Sequence, residues 1–181
     1  NIAIVIPSKK ILLGRHGAKI DFCDNVVRFN NAETNDYQDY VGSKKDIRAL
    51  NFHFFKNCLE NNLNFEEKIF IVSHTHPINE KKYKKFNDKK IFFLNKKKFR
   101  HFIPIYFLNK KKINAEIYNY ILNYEPSIGF SIINLLLMNK IKPKVFGIDL
   151  EENILNKRSY YFNSNSPSKP GKYHNLAIEH N

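Results

Sequence analysis

The chain has 181 residues, 43% of them hydrophobic and including 16 Phe and 10 Tyr, enough for one buried core and too short for two ordinary domains. No window approaches the roughly 18–20 apolar residues of a membrane span, and two cysteines, Cys23 and Cys58, are too few for a disulfide scaffold; a single cytoplasmic domain over residues 1–181 is the expectation. The net charge of +13 points to an anionic partner: a nucleic acid, an acidic membrane face, or a phosphate- or carboxylate-bearing small molecule.

Six short β-rich runs follow one another at residues 2–6, 25–29, 47–52, 68–72, 91–94 and 144–148. Most are continuously apolar, with little alternation, as strands covered on both faces are. Residues 80–112, dense in lysine, are expected to form a solvated flap within the domain, whose charge suits an anionic membrane face. After it, residues 113–122 place Ile113, Ile117, Tyr120 and Ile121 on one helical stripe. A second helix is predicted over residues 130–138, following Pro126-Ser127-Ile128-Gly129, where a serine is able to cap a helix start. Residues 164–171, SNSPSKPG, read as a loop. The predicted fold class is α/β: one Rossmann-like domain with a mostly parallel sheet flanked by helices.

Open parallel sheets bind ligands at the carboxyl ends of their strands, which directs attention to Ser8, Arg28 to Asn31, Asn51, Ser73 to His76, and Gly147 to Asp149. Asparagine there offers an acceptor and two donors without adding charge, although an Asx-turn accounts equally for any single one in so Asn-rich a chain. The Pro-Ser-Ile-Gly helix start is suited to an anion, through its free amides and the helix dipole. His174 is the side chain best matched to general-base work near neutral pH; Glu179, five residues on, does not share a helical face with it. Asp149-Leu150-Glu151-Glu152 could hold a divalent ion, and His74-Thr75-His76 zinc, though without an evident third ligand; solvated and surface roles are favoured for both. No nucleic-acid motif is present, so no specific nucleic-acid partner is expected.

The order of the pieces adds to their separate meanings. Gly17-Ala-Lys-Ile20-Asp21, Val26-Val27-Arg28-Phe29-Asn30, Asp39-Tyr40-Val41-Gly42 and Arg48-Ala49-Leu50-Asn51 are followed by Pro126-Ser127-Ile128-Gly129, Val145-Phe146-Gly147, Ser159-Tyr160-Tyr161 and His174 to Glu179. This series resembles the large, small, third and last motifs of the eukaryotic-type sialyltransferases, glycosyltransferase family 29, and more distantly the bacterial sialyltransferases of family 42.

The resemblance implies a GT-A-like variant of the Rossmann fold and an inverting, metal-independent transfer of sialic acid from CMP-sialic acid to a glycan hydroxyl. It implies His174 as general base and Tyr160, with Tyr161, as the group meeting the phosphate; aromatic packing under a loop is the alternative for both tyrosines and the favoured one for Tyr161. Ser8, Asn30, Asn51, Ser127, Ile128, Gly129 and Gly147 would be donor-binding, with no cofactor beyond the CMP-sugar and a bacterial polysaccharide or lipooligosaccharide as acceptor. Arg28 is read as a structural fork between strand ends. Three departures stand out. Ile6-Pro7 replaces Gly-Asn before Ser8, Ser159 replaces the histidine that opens the third motif, and the family's disulfide has no cysteines at the matching places. A donor carrying Kdo or another nonulosonic acid, and a basic nucleotide- or nucleic-acid-binding domain without catalysis, are the alternatives. Contact with the inner face of an anionic membrane is a further expectation.

Overall fold

Six strands rich in β-branched and aromatic side chains, the types a pleated backbone accommodates best, build one sheet: Ile2–Val5 (β1), Asn25–Phe29 (β2), Ile47–Asn51 (β3), Ile69–His74 (β4), Lys90–Asn95 (β5) and Lys144–Phe146 (β6). They lie in the order β5-β4-β3-β2-β1-β6, and every pairing is parallel. The computed structural model describes residues 1–74, 78–79, 83, 89–95, 127–148 and 160–162.

All six predicted strands are present, with ends shifted by a residue or two. β6 stops at Phe146 because Gly147 turns to φ +78, a left-handed backbone that ends the extended ladder. β3 stops at Asn51, whose side chain accepts from the Phe54 amide at 2.7 Å and caps the helix Phe52–Glu60. Lys90–Asn95 lies inside the stretch expected to be a flap, yet pairs along β4 from Ile69↔Lys90 to His74↔Asn95. Tyr83, from the same stretch, packs edge-on to Phe52 and Phe55. These parts of residues 80–112 therefore belong to the sheet and its packing.

Four helical elements stand where the sequence reading placed none: the 3-10 turn Lys9–Leu13, Gly17–Asp21 (α1), Gln38–Val41 (α2) and Phe52–Glu60 (α3). The predicted Phe130 helix starts two residues earlier, as Ile128–Met138 (α4). The helix expected over 113–122 lies outside the described residues.

Alternation along the strands sorts side chains between two faces. Ala3, Val5 and Val26 meet Ile11, Ile20, Val41, Tyr161 and Phe162 on one face. The same face continues through Leu50, Phe70 and Val72 to Phe55 of α3. Ile4, Val27, Phe29, Ala49 and Leu94 point the other way, onto Ile128, Ile132 and Leu135 of α4. Right-handed crossovers account for this. The chain walks outward from β1 with its helices on one face, then returns past β1 to β6 with α4 on the opposite face. The reversal puts a topological switch point between β1 and β6, where the loops after the two strands diverge. Among the described residues no helix is long and apolar enough to cross a membrane.

Candidate functional site at the carboxyl edge of the sheet

Much of the glycine, aspartate and arginine pattern in residues 17–48 is scaffold. Asp21, at the end of α1, accepts from the Ser43 and Lys44 amides at 2.9 Å and from the Ser43 hydroxyl at 2.9 Å. Burial opposes its ionisation, but those amide bonds prevail and hold its carboxyl below the usual carboxylate range. A Cβ on Gly17 would collide with the Gln38 carbonyl, and Gly42, at φ +73, has no room beside the Asp21 carboxylate. Arg28 is fully buried. It donates from Nε to the Lys44 carbonyl at 2.9 Å and from Nη2 to the Val41 and Gly42 carbonyls at 2.9 and 3.1 Å. Asp21 thus holds the amides of the loop after α2, and Arg28 its carbonyls. The expected structural fork at Arg28 is what the geometry gives.

At the switch point, Ser8 spends its donors inside the protein. Its hydroxyl donates to the Gly147 carbonyl at 2.5 Å and its amide to the Ile6 carbonyl at 2.9 Å. Pro7 has no amide proton. A side chain at Gly147 would collide with the Ile6 carbonyl, so close contact explains the glycine. Ser8 and Gly147 latch the loop after β1 to the end of β6, and in this arrangement Ser8 has no proton to give a phosphate.

The next strand ends differ. Asn30 sits at φ +44 just past β2, a backbone region that asparagine tolerates well. Its amide donates to the Ala49 carbonyl at 2.9 Å, its carbonyl accepts from Arg48 at 3.0 Å, and its Oδ1 accepts from the Asn51 amide at 3.1 Å. Because Oδ1 must face that amide, the orientation of the carboxamide is assigned, and Nδ2 is the group left over. Asn51 on the adjacent strand behaves alike, its Oδ1 taken by Phe54 and its Nδ2 spare. Two half-buried amide donors therefore stand side by side at the edge.

α4 brings a third set. Ser127 caps it, accepting from the Phe130 amide at 3.2 Å, as the sequence suggested. The Ile128 and Gly129 amides, ahead of the first intrahelical bonds, have no partner among the described residues. A Cβ on Gly129 would meet Ile6 at 3.3 Å and Phe29 at 3.8 Å, so this helix start lies against the ends of β1 and β2. Asn30, Asn51, Ile128 and Gly129 are thus gathered at one edge beside the capping Ser127, and the two carboxamide Nδ2 groups and two helix-start amides face no acceptor among the described residues. Such a set suits an anionic, acceptor-rich ligand.

Tyr161 is placed otherwise. It is buried, its hydroxyl donates to the Glu33 carbonyl, and its ring packs edge-on to Tyr37 and Phe162. Burial pushes its pKa up to about 12. That is aromatic packing beneath the loop after β2. Tyr160 is half-buried and stacks on Phe162 at 5.3 Å and 17°. His174, Glu179, Ser159 and Asp149 to Glu152 lie outside the described residues, as do Thr75 and His76. His74 is buried at the end of β4, 6.3 Å from the Phe93 ring. Among the described residues no three His, Cys, Asp or Glu side chains gather as a metal-holding group.

An open, all-parallel sheet covered on both faces, with a switch point at its carboxyl edge, defines a Rossmann-like α/β domain. The chain belongs to glycosyltransferase family 29, the sialyltransferases, whose model matches residues 3–181. A crystal structure of a mammalian sialyltransferase superposes with a TM-score of 0.64 at 17% identity, covering 99% of this chain and 62% of that one. A crystal structure of a mammalian sialyltransferase in complex with Gal-beta-1-3GalNAc-ortho-nitrophenol superposes with a TM-score of 0.63 at 17% identity and the same coverage. At that identity the likeness is one of fold, and this chain spans 62% of the length of the structures it matches. No curated protein matches the sequence.

Proposed function

We propose that the protein is an inverting sialyltransferase that moves sialic acid from CMP-sialic acid to a glycan hydroxyl. Family membership sets the reaction class, and the observation that carries the assignment of the site is the paired Asn30 and Asn51 carboxamides. Each has its oxygen fixed by a backbone amide and its Nδ2 spare. A cytidine monophosphate is rich in acceptors, so two donor-only amides at adjacent strand ends bind it without a cation. The Ile128 and Gly129 amides are suited to the sialic acid carboxylate or the phosphate.

In the displacement, the acceptor oxygen attacks the anomeric carbon from the face opposite the phosphate. The bond from that carbon to the phosphate oxygen breaks, CMP leaves, and the hydroxyl proton passes to His174. Charge growing on the phosphate is met by hydrogen bonds, with Tyr160 as the candidate donor, so no divalent ion is required. The gap left by Ile6-Pro7, together with the Ser8 proton committed to Gly147, favours testing CMP-Kdo as a second donor. Acceptors to test begin with galactose-containing disaccharides and a bacterial surface glycan. A cytoplasmic site of action at an anionic inner membrane face belongs to the same proposal, and salt-sensitive sedimentation with anionic liposomes tests it.

The functional test is CMP release from CMP-sialic acid and CMP-Kdo, with and without acceptors, in the presence of EDTA. Release that survives EDTA and disappears in His174→Ala supports the proposal. Turnover abolished by EDTA would instead implicate the acidic residues 149–152. Salt-sensitive binding of oligonucleotides with no CMP binding would favour the non-catalytic nucleic-acid-binding alternative.

A further inference from the structure

Arg48 and Glu67 form an ion pair with both side chains buried, at 4% and 0% exposure. Taking two ions out of water costs more than their attraction returns unless further bonds satisfy them, and an apolar pair of similar volume often serves stability as well. What the pair delivers is therefore better sought in what Arg48 holds. Its Nη2 donates to Glu67 Oε1, and its guanidinium lies 4.8 Å over the Phe65 ring. Its Nη1 reaches the other way, to the carbonyls of Asn30 and Ala32 at 3.0 Å each.

Those carbonyls belong to the turn just past β2, closed by the Ala32 amide on the Phe29 carbonyl at 2.9 Å. The turn carries Asn30 at φ +44 and so decides where its carboxamide points. Two restraints come from β3, through the Ala49 carbonyl and the Asn51 amide. Arg48 adds two more, to the Asn30 and Ala32 carbonyls, on the side where the chain leaves the sheet. Its planar fork bridges two carbonyls and a carboxylate at once, which the single ammonium of a lysine does not reproduce.

We infer that Arg48, fixed by Glu67, is a positioning residue for donor binding: it clamps the 29–32 turn so that Asn30 Nδ2 donates into the nucleotide site. The inference rests on the proposed binding of a CMP-sugar and extends it to two buried residues that touch no ligand.

The test is calorimetric titration of CMP into the wild-type protein, Arg48→Lys, Asn30→Gly and the double variant, with folding checked by circular dichroism. Glycine is chosen at 30 because it keeps the positive φ while removing the amide. Arg48→Lys is expected to raise the CMP Kd about tenfold, the weight of one well-aligned hydrogen bond, and to have no further effect once Asn30 is glycine. Glu67→Gln keeps an acceptor for Arg48 with weaker hold, so a smaller loss, about threefold, is expected, again absent in the Asn30→Gly background; it decides the matter should Arg48→Lys fail to fold. Tight CMP binding by the wild type that is unchanged in folded Arg48→Lys, or losses that add in the double variant, would overturn the positioning role alone. No CMP binding by the wild type would overturn the functional reading beneath it.

Discussion

Replacing Arg28 by methionine separates a scaffold arginine from a ligand clamp. The substitution keeps much of the buried volume and removes the bonds to the carbonyls of Val41, Gly42 and Lys44. Hydrogen bonds from a charged donor contribute roughly 1.5–3 kcal/mol each. Part of that is offset because burial penalises the ion, which lowers the guanidinium pKa, and because Nη1 has no hydrogen-bond partner in the structure. A net loss of about 3–4 kcal/mol is expected, a large fraction of the roughly 5–15 kcal/mol that holds an ordinary domain. With a urea dependence of about 2 kcal/mol per M, the unfolding midpoint should fall by about 1.5–2 M. CMP affinity of the protein still folded at low urea should change less than threefold, about the 0.65 kcal/mol that this factor represents. A midpoint that hardly moves while CMP-sugar affinity collapses would refute the reasoning and make Arg28 a carboxylate or phosphate clamp.

Asp21→Asn should flatten the acid limb of the stability profile. The Asp21 pKa is lowered in the folded state, so its contribution is present above the ordinary aspartate value near about 3.9 and is lost as pH falls through the folded one. The wild type should exceed the variant in urea midpoint at pH 6, and the difference should shrink as the pH falls below the ordinary aspartate value. Tyr161→Phe should cost about 1 kcal/mol through the bond to Glu33 and leave kcat within a few-fold, of order one hydrogen-bond contribution at most. The Tyr161 pKa is raised to about 12, so the wild type should lose more stability than the variant as pH rises from about 10 through that value; a hundredfold fall in kcat would return Tyr161 to the chemistry. Ser127→Ala should lower stability by about 1 kcal/mol through the lost cap of α4, read from the same urea curves.

The sheet was legible because strands covered on both faces leave continuous apolar runs, and 25–29 was read to the residue. Ser127 was legible too, because a cap sits at a fixed offset from the helix it starts. The short helices were not: α1 and α2 have five and four residues, too few to show a 3.6-residue period, and contacts such as the fit of Gly17 against Gln38 hold them in place. α3 had a signal in Asn51 followed by Phe52 and Phe55, but a predicted strand ran over it.

At the candidate site, residue type pointed to the carboxyl edge of the sheet without saying which atoms were free. Ser8 looked like a donor until its proton was found on the Gly147 carbonyl, and Asn30 and Asn51, read as donor-binding with an Asx-turn as the alternative, have their oxygens on backbone amides. Arg48 and Glu67 were passed over because they are 19 residues apart in a chain full of exposed lysine and glutamate. Only the fold brings them together and buries them.

The most direct test of the central claim is mass-spectrometric detection of the product after the protein is incubated with CMP-sialic acid and a galactose-containing acceptor. The account predicts acceptor molecules heavier by one sialic acid residue, formed in EDTA by the wild type and absent with His174→Ala. A folded wild-type protein that binds neither CMP nor CMP-sialic acid, and leaves every acceptor unmodified, would contradict it.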